Sequence, residues 1–398
     1  MSTNVHVIDT QPSDWSYISE GGSSIVFSYS GPSNPTFDAT ALRLRKVSIH
    51  EHDTVIEPGQ EEPDDPTIVF QHRVIQRLVP AEYVPRLETV HVERTWLEQL
   101  AKSSEARRPA ERRAKDRIDL GKRKAVLATD LVGGAGWAVE IKRVTKALIS
   151  LWDAWIGSSG SVNNLRVFVQ GQMLKPNTLP SSLRPLAQQV LPPEVDAPLL
   201  ETVRDAFITT LLPVLLETPV LETLSTQQRS LDALDVEGLS SLWSKAHTPL
   251  GSTSAVSIPR LGADLAQPTV EDWESFISLY RANHYNMNHD HPDPADLQYY
   301  CHAYLLSASF KDCSIILRMV PSADGKTLKK SITVIDLDVK GVDRLHKWEK
   351  LDRQIVEAYS KISDPNPEVL SSGAFLDMWW SRTPELLLLR PNVMFGNQ

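Results

Sequence analysis

The chain has 398 residues, 41% of them hydrophobic, enough to bury one large bilobal domain or two ordinary ones. Its formal net charge of -9 argues against a general nucleic-acid coat, so an anionic ligand has to be met by a local basic pocket. Two cysteines, Cys301 and Cys313, with no CxxC or Cys/His cluster, exclude a disulfide framework and a cysteine zinc site, and fit a reducing compartment. The opening residues MSTNVHVIDTQPSDW carry neither a basic nor an apolar leader region, and no window reaches a membrane-spanning apolar run. A soluble intracellular chain, in the cytoplasm or nucleus, is expected.

Taken in order, Ser24 to Tyr29 (SIVFSY) and Ala41 to Ile49 (ALRLRKVSI) have strand character. The turn formers GPSNPTFDAT join them, which predicts a hairpin. Just before lies SEGGSS, whose glycines let backbone N–H groups approach a phosphate, though a Gly-Gly pair also reads as a plain turn. Arg43 and Arg45 share the face opposite Leu42 and Leu44, so one of them can point back under that loop. His50 to Pro66 is acidic and proline-rich and reads as a solvated loop. Val90 to Leu100 starts strand-like and ends helical. Lys102 to Lys124 is a basic run, either a solvated helix or linker or an arm over an anionic substrate. Ala125 to Leu131 is a short strand ending at Thr129 and Asp130, and the glycine-rich VGGAGW after it reads as a hinge. A lobe boundary there divides the chain into residues 1–131 and 132–398. Trp137 to Lys142 (WAVEIK) resumes a strand.

Beyond a proline-rich connection, Leu179 to Pro193, helices are expected over Ala197–Leu216, Val220–Leu231, Val270–Arg281 and Pro294–Leu306, with a polar loop at Thr248–Ile258. His284, His289 and His291, with Asp290 and Asp293, are metal-ligand residue types, but no helical His register supports a site and a surface loop is the preferred reading. Ser331 to Trp348 (SITVIDLDVKGVDRLHKW) alternates and then turns helical in period, which predicts strand, carboxylate turn, helix. Asp336 and Asp338 at that strand end either hold Mg²⁺ against nucleotide phosphates or cap a turn. Lys340 and Arg344 are expected on one face of the emerging helix. Upstream, FKDCSIIL places Asp312 just before an apolar run.

The order of WSYISEGGSSIVFSY, ALRLRK, WAVEIK, FKDCSI and VIDLDVKGVDRLHKWEKLDRQIVEAY resembles the inositol-pentakisphosphate 2-kinases, which use ATP and Mg²⁺ to phosphorylate the 2-hydroxyl of inositol pentakisphosphate and make inositol hexakisphosphate. The resemblance covers nearly the whole chain at low density. It implies that Gly21, Gly22 and Ser23 cover the ATP phosphates, with Arg43 as the strand cation that contacts them. Thr129 to Leu131, including Asp130, would lie at the adenine and Glu140 at the ribose. Lys142 would contact phosphates at the reaction centre, Asp312 would orient or deprotonate the attacking hydroxyl, and Asp336 would bind Mg²⁺. Lys175, Lys340 and Arg344, with Arg112 or Arg113, would bind the substrate's phosphates. A monomer is expected, with no nucleic-acid or membrane partner. The hairpin, the hinge and the later helices together predict an α+β bilobal kinase-like fold, with an antiparallel β-sheet N-lobe and a larger, mainly helical C-lobe.

Two departures accompany the resemblance. The family's E-I-K-P-K pattern continues here with Val144 where a second lysine belongs, and RVFVQGQMLK keeps Lys175 but has Gly171 in place of a histidine. The segment from Arg143 to Gln170 is either divergent or an aberrant reading of the gene. An active kinase and a catalytically impaired inositol-phosphate-binding protein of the same fold therefore stand as alternatives. Retention of Asp312 and Asp336 favours the kinase, because a pure binder of a polyanion gains nothing from carboxylates beside it. A nucleic-acid or structural role for the basic run needs neither the glycine loop nor those carboxylates.

Overall fold

The computed structural model describes residues 5–57, 59–142, 148–158, 164–176, 181–192, 195, 199–248, 258–322 and 328–360. Strand-prone segments near the N-terminus form a first sheet from β1 (Trp15–Glu20), β2 (Ser24–Tyr29), β3 (Thr40–Ser48), β4 (Leu87–His91), β5 (Asp116–Ile118) and β6 (Lys124–Thr129). The order is β1-β2-β3-β6-β4, with β5 on β3, and all pairs are antiparallel. The predicted hairpin is thus part of a three-stranded meander. Period-two alternation fails in β1 because its register shifts between Tyr17 and Ser19, a bulge that turns the strand on its partner. Ile25, Phe27, Leu42 and Leu44 alternate onto one buried face with Trp15. Each such side chain contributes roughly 1.5–3 kcal/mol by leaving water.

Three helices interrupt that sheet: α1 (Pro66–Arg73), α2 (Arg94–Ser104) and the single turn α3 (Ala110–Arg113). Trp96, Leu97 and Leu100 of α2 close the core of the first sheet. Asp65 caps α1 by accepting the Thr67 N–H, but Phe70, Val74, Ile75 and Val79 pack into a second, larger core, where Phe70 meets Trp273 edge-on. Arg73 donates to Glu271 and Glu274, 2.9 Å each.

The second sheet is also antiparallel: β7 (Trp137–Lys142), β8 (Leu165–Val169), β9 (Gln172–Met173), β10 (Ser314–Pro321) and β11 (Leu328–Ile335), in the order β11-β10-β7-β8-β9. Around it lie α4 (Leu148–Gly157), α5 (Arg184–Val190), α6 (Leu200–Glu217), α7 (Val220–Leu231), α8 (Val236–His247), α9 (Val270–Asn283), α10 (Leu297–Asp312) and α11 (Leu345–Ser360). Val139, Ile141, Val167, Ile315, Leu317 and Val334 face these helices and are fully buried. The opposite face carries Ala138, Phe168 and Ile316, against which Ile18 of β1 and Leu131 and Val132 of the inter-sheet connection pack. By the same alternation it also carries Glu140, Lys142, Arg166, Arg318 and Ile335. The architecture is α+β, as expected, although the helical part is built on a sheet of its own.

Several expectations need correction. The acidic stretch and the basic run are not independent solvated segments, because neighbouring strands bring their opposite charges together. Arg117 pairs with Asp53, Lys122 with Glu62 at 3.0 Å, and Lys124 with Asp64 at 3.0 Å. The Glu62 carboxylate also accepts the Arg123 N–H at 2.7 Å. Helix α5 lies inside the supposed proline-rich connection, and α10 runs on to Asp312. The divergent segment contributes α4, whose Leu151, Trp152 and Trp155 are buried, Trp152 stacking obliquely on Phe207 at 5.1 Å. Such packing makes α4 part of the larger core. Val144 and most of the Thr248–Ile258 loop fall outside the described residues.

Candidate active site

The glycine loop is a tight hairpin end. The Gly21 N–H donates to the Ser24 carbonyl at 2.9 Å, and the Lys46 N–H to the Ser23 carbonyl at 3.0 Å. A Cβ at Gly21 or Gly22 would meet nothing within 4 Å, so the protein's own packing does not require glycine there and the outer side of the loop is open. Of the two candidate arginines it is Arg45 that reaches the loop, donating to Ser23 Oγ at 3.3 Å while forking onto Asp65 at 2.6 and 2.7 Å. Arg43, on β3 of the same sheet, lies near enough to Asp336 for its charge to favour ionisation of that carboxyl. Arg112 lies 3.4 Å from the Gly21 carbonyl and Arg113 is exposed. Beneath the loop, Glu20 accepts from Lys46 at 3.1 Å and from Arg108 at 2.9 Å, all three side chains 1% exposed. Burial pulls the Glu20 carboxyl upward, but its bonds to Arg108 and Lys46 outweigh that and hold it below the usual range.

The connection between the sheets is organised by Asp130. Its buried carboxylate accepts the Val132 N–H at 3.0 Å, the Gly133 N–H at 2.7 Å and the Ser28 hydroxyl. A Cβ on Gly133 would collide with that carboxylate and that hydroxyl. Thr129 Oγ1 accepts the Arg86 N–H at 3.0 Å. Both side chains therefore shape the connection from within. Glu140 is buried on the cleft face of β7 and paired with Arg166 of β8 at 3.0 Å, its cross-strand neighbour.

The ends of β7, α10 and β11 bring the remaining residues together. Asp312 closes α10, with Lys142 Nζ 3.4 Å from one carboxylate oxygen and Lys340 Nζ 2.7 Å from the other. Partial burial raises the Asp312 carboxyl, but Lys340 and then Lys142 overcome this and hold it below the usual carboxylate range. Asp336, just past β11, is open to water on one side and ringed by protein on the others. Loss of hydration pushes its carboxyl up, Glu140 and Asp338 push it further, and Lys142 and Arg43 only partly offset this. Its φ of 63° is left-handed, a conformation aspartate tolerates better than most residues and one that recurs at functional sites. Among the described residues its carboxylate has no hydrogen bond or ion pair. The Cys313 thiol beside it is pushed up to about 12 by burial, then by Asp336 and Asp312, so it is no nucleophile.

Lys340 and Arg344 do not share a helix face. Residues 336–341 are irregular, held where the Ser309 hydroxyl donates to the Asp338 carbonyl at 2.6 Å and Gln267 Oε1 accepts the Val342 N–H at 3.0 Å. Helical turns begin only at Val342, after an extended Gly341. Lys340 turns inward to Asp312, while Arg344 is exposed. Lys175 is exposed too. The Leu174 N–H donates to the Val167 carbonyl at 2.8 Å, and that register, carried one residue on, sets Lys175 opposite Arg166. Gly171 stands where the resemblance calls for histidine because the β8–β9 turn is a two-residue hairpin with positive φ at Gln170 (49°) and Gly171 (77°). A Cβ on Gly171 would come into van der Waals contact with Gly133 and Ile18.

The histidine cluster serves packing: the His289 ring contacts the Tyr300 hydroxyl at 3.0 Å and the His284 carbonyl at 2.9 Å. Among the described residues no group of three or more His, Cys, Asp or Glu side chains is arranged to hold a metal ion by itself. Sequence reasoning missed Arg166, Arg108 and Arg318. Alternation in RVFVQ, which puts Arg166 on the same face as Phe168, was the one available signal.

Comparison with known proteins gives the family of the chain. The family model for inositol-pentakisphosphate 2-kinase matches residues 17–142 and 140–354, spans that contain the glycine loop, the inter-sheet connection, Asp312 and Asp336. Two curated proteins named inositol-pentakisphosphate 2-kinase, from two strains of Cryptococcus neoformans var. neoformans serotype D, are each 28% identical over 415 residues, covering 87% of this chain and 93% of theirs. With the match running through both sheets and every cluster of the cleft, the chain is a kinase and belongs to the inositol-pentakisphosphate 2-kinase family.

Proposed function

We propose that this kinase transfers the γ-phosphoryl group of ATP to the 2-hydroxyl of inositol 1,3,4,5,6-pentakisphosphate, giving inositol hexakisphosphate. The observation that carries the reading is the bridge from Lys142 through Asp312 to Lys340, set beside the only partly compensated carboxylate of Asp336. Phosphoryl transfer needs positioned charge more than covalent chemistry, and this group supplies both signs at one place. Asp312, held ionised by its lysines, accepts the proton of the attacking hydroxyl. Lys142 lies between the two aspartates, where it can neutralise charge on the transferred group. Lys340 faces the acceptor, and Lys175, Arg344 and Arg112 or Arg113 are the cations left to bind the ring phosphates as a substrate enters.

Gly21 and Gly22 have the open outer space that polyphosphate needs, and Ser23 follows them in the same loop. Asp336, with Asp338 near it, fits Mg²⁺, which usually takes one or two carboxylates and completes its shell with phosphates and water. Bound there, the ion would neutralise the nucleotide phosphates. Asp336 is raised by loss of hydration and then by repulsion from Glu140 and Asp338, and a cation held there would relieve that repulsion. A binding protein without catalysis would gain by losing both aspartates, whose charges repel a polyanion, so their presence favours transfer. The relatives' name supplies the acceptor. Incubation of purified protein with ATP, Mg²⁺ and inositol pentakisphosphate, followed by anion-exchange separation, tests it. Hexakisphosphate is expected. Tight binding of both ligands without product would overturn the proposal in favour of the binding protein.

A further inference from the structure

The connection between the sheets is held by hydrogen bonds from both sides. The Asp130 N–H donates to the Ala39 carbonyl at 2.9 Å, and the Asp130 carboxylate takes the N–H groups of Val132 and Gly133. From the second sheet Arg318 of β10 reaches across 188 residues of sequence to donate to the Asp130 carbonyl at 2.7 Å and to the Gly133 carbonyl. Within residues 130–133, the N–H and C=O of Leu131 and the C=O of Val132 are left without a partner among the described residues. The same two residues pack their side chains with Ile18, Ala138, Phe168, Ile316 and Ile335.

We infer that Arg318 is a positioning residue that sets the nucleotide-base preference of the kinase, by locking the carbonyls on either side of Leu131 so that one donor and two acceptors stay available to the base. The inference rests on the proposal that the nucleotide is ATP, with its base at this connection as the family resemblance implies. Adenine presents an amino donor and an acceptor nitrogen side by side, which complements a free C=O and a free N–H. Guanine and hypoxanthine present an acceptor oxygen where adenine has its donor, so both would leave a backbone carbonyl facing an oxygen. Gly133, Gly134 (φ 74°) and Gly136 (φ 88°) make this stretch flexible in its own right. Without the clamp, the Asp130 and Gly133 carbonyls are released, other conformers become accessible, and the donor and acceptor pattern is no longer unique. Arg318 touches neither the base nor the reacting atoms in this scheme. Its influence runs through the backbone it holds.

The test compares ATP, GTP and inosine triphosphate as phosphoryl donors to inositol pentakisphosphate for the native enzyme, Arg318→Gln and Arg318→Lys. The native enzyme should favour ATP over both others by about a hundredfold or more in kcat/KM. Arg318→Gln should raise the KM for ATP about tenfold, leave kcat and the KM for the inositol phosphate within about twofold, and shrink the ATP to GTP ratio. Arg318→Lys, able to reach one carbonyl, should restore part of the ratio. A purely structural arginine would lower the melting temperature and leave the ratio alone, and that result would overturn the inference. Should Arg318→Gln fail to fold, Arg318→Lys decides, since a native ATP to GTP ratio in that variant would overturn the inference. Should the native enzyme transfer no phosphate, the functional proposal falls separately, and calorimetric affinities for the three nucleotides then decide base preference by the same ratios.

Discussion

Asp312→Asn separates chemistry from stability. In the proposed reaction Asp312 takes the hydroxyl proton, a role that contributes about 10²–10⁴ in rate, or ~2.7–5.5 kcal/mol of barrier. The cost in stability is smaller. Unit charges at 2.7 Å attract by about 6 kcal/mol at an effective dielectric of 20 before solvation is counted. The Asp312 side chain is 56% exposed and that of Lys340 10%, so water screens one partner heavily and the pair is worth about 1 kcal/mol. Against a total stability of roughly 5–15 kcal/mol, the variant stays folded. The folded carboxyl lies below its unfolded value, so this contribution is present above the ordinary carboxylate range, about 4, and is lost as pH falls through the folded value. Steady-state kinetics and calorimetry with each ligand read the outcome. Turnover should fall at least a hundredfold, ATP affinity should hold, and inositol pentakisphosphate should bind as well or more tightly, since a negative charge has gone. Near-native turnover would contradict the proton-accepting role of Asp312, as would a loss of affinity matching the loss of rate.

Asp336→Asn should behave differently. Because the folded carboxyl is raised, its ionised form opposes folding at neutral pH, so the variant should melt higher than the native protein, with the gain shrinking as pH falls through the raised value. It should also lose Mg²⁺-dependent ATP binding and turnover, and a lower melting temperature at pH 7 contradicts the charge argument. Glu20→Gln removes the counter-charge of Lys46 and Arg108 in a site where all three side chains are 1% exposed, so urea unfolding should register a loss of about 3–5 kcal/mol. A change under about 1 kcal/mol would mean that Asp116 alone satisfies both cations. Gly133→Ala forces a methyl against Asp130 and Ser28 and should cost about 1–3 kcal/mol while raising the KM for ATP more than that for the inositol phosphate. Equal effects on the two KM values would place the connection away from the nucleotide.

What the sequence revealed, it revealed where local pattern and local structure coincide. Alternation and β-branching mark β2, β3, β7 and β11 directly, and the carboxylates Asp312 and Asp336 stand out because each adjoins the end of a regular element. Strand β1 was hidden by its bulge. The spacing of Lys340 and Arg344 misled because helical geometry begins only after Gly341, so a four-residue interval that is adjacency on a helix becomes divergence across a loop. Charge patterning misled for another reason. Arg108 meets Glu20 from 88 residues away, and Arg117 meets Asp53 from 64, so whether a basic run is solvated depends on which strands the fold makes neighbours. Arg318 had no local signature, since its partners are backbone carbonyls that every residue carries.

Phosphorus NMR under single-turnover conditions reads the transfer of phosphate to one hydroxyl of one polyanion directly. Excess native protein with Mg²⁺, ATP and inositol 1,3,4,5,6-pentakisphosphate at neutral pH should lose the γ-phosphate resonance and gain that of a phosphate ester at the 2-position, in equal amounts. Release of the γ-phosphate as free inorganic phosphate, its appearance on another acceptor, or an unchanged spectrum with both ligands bound would contradict it.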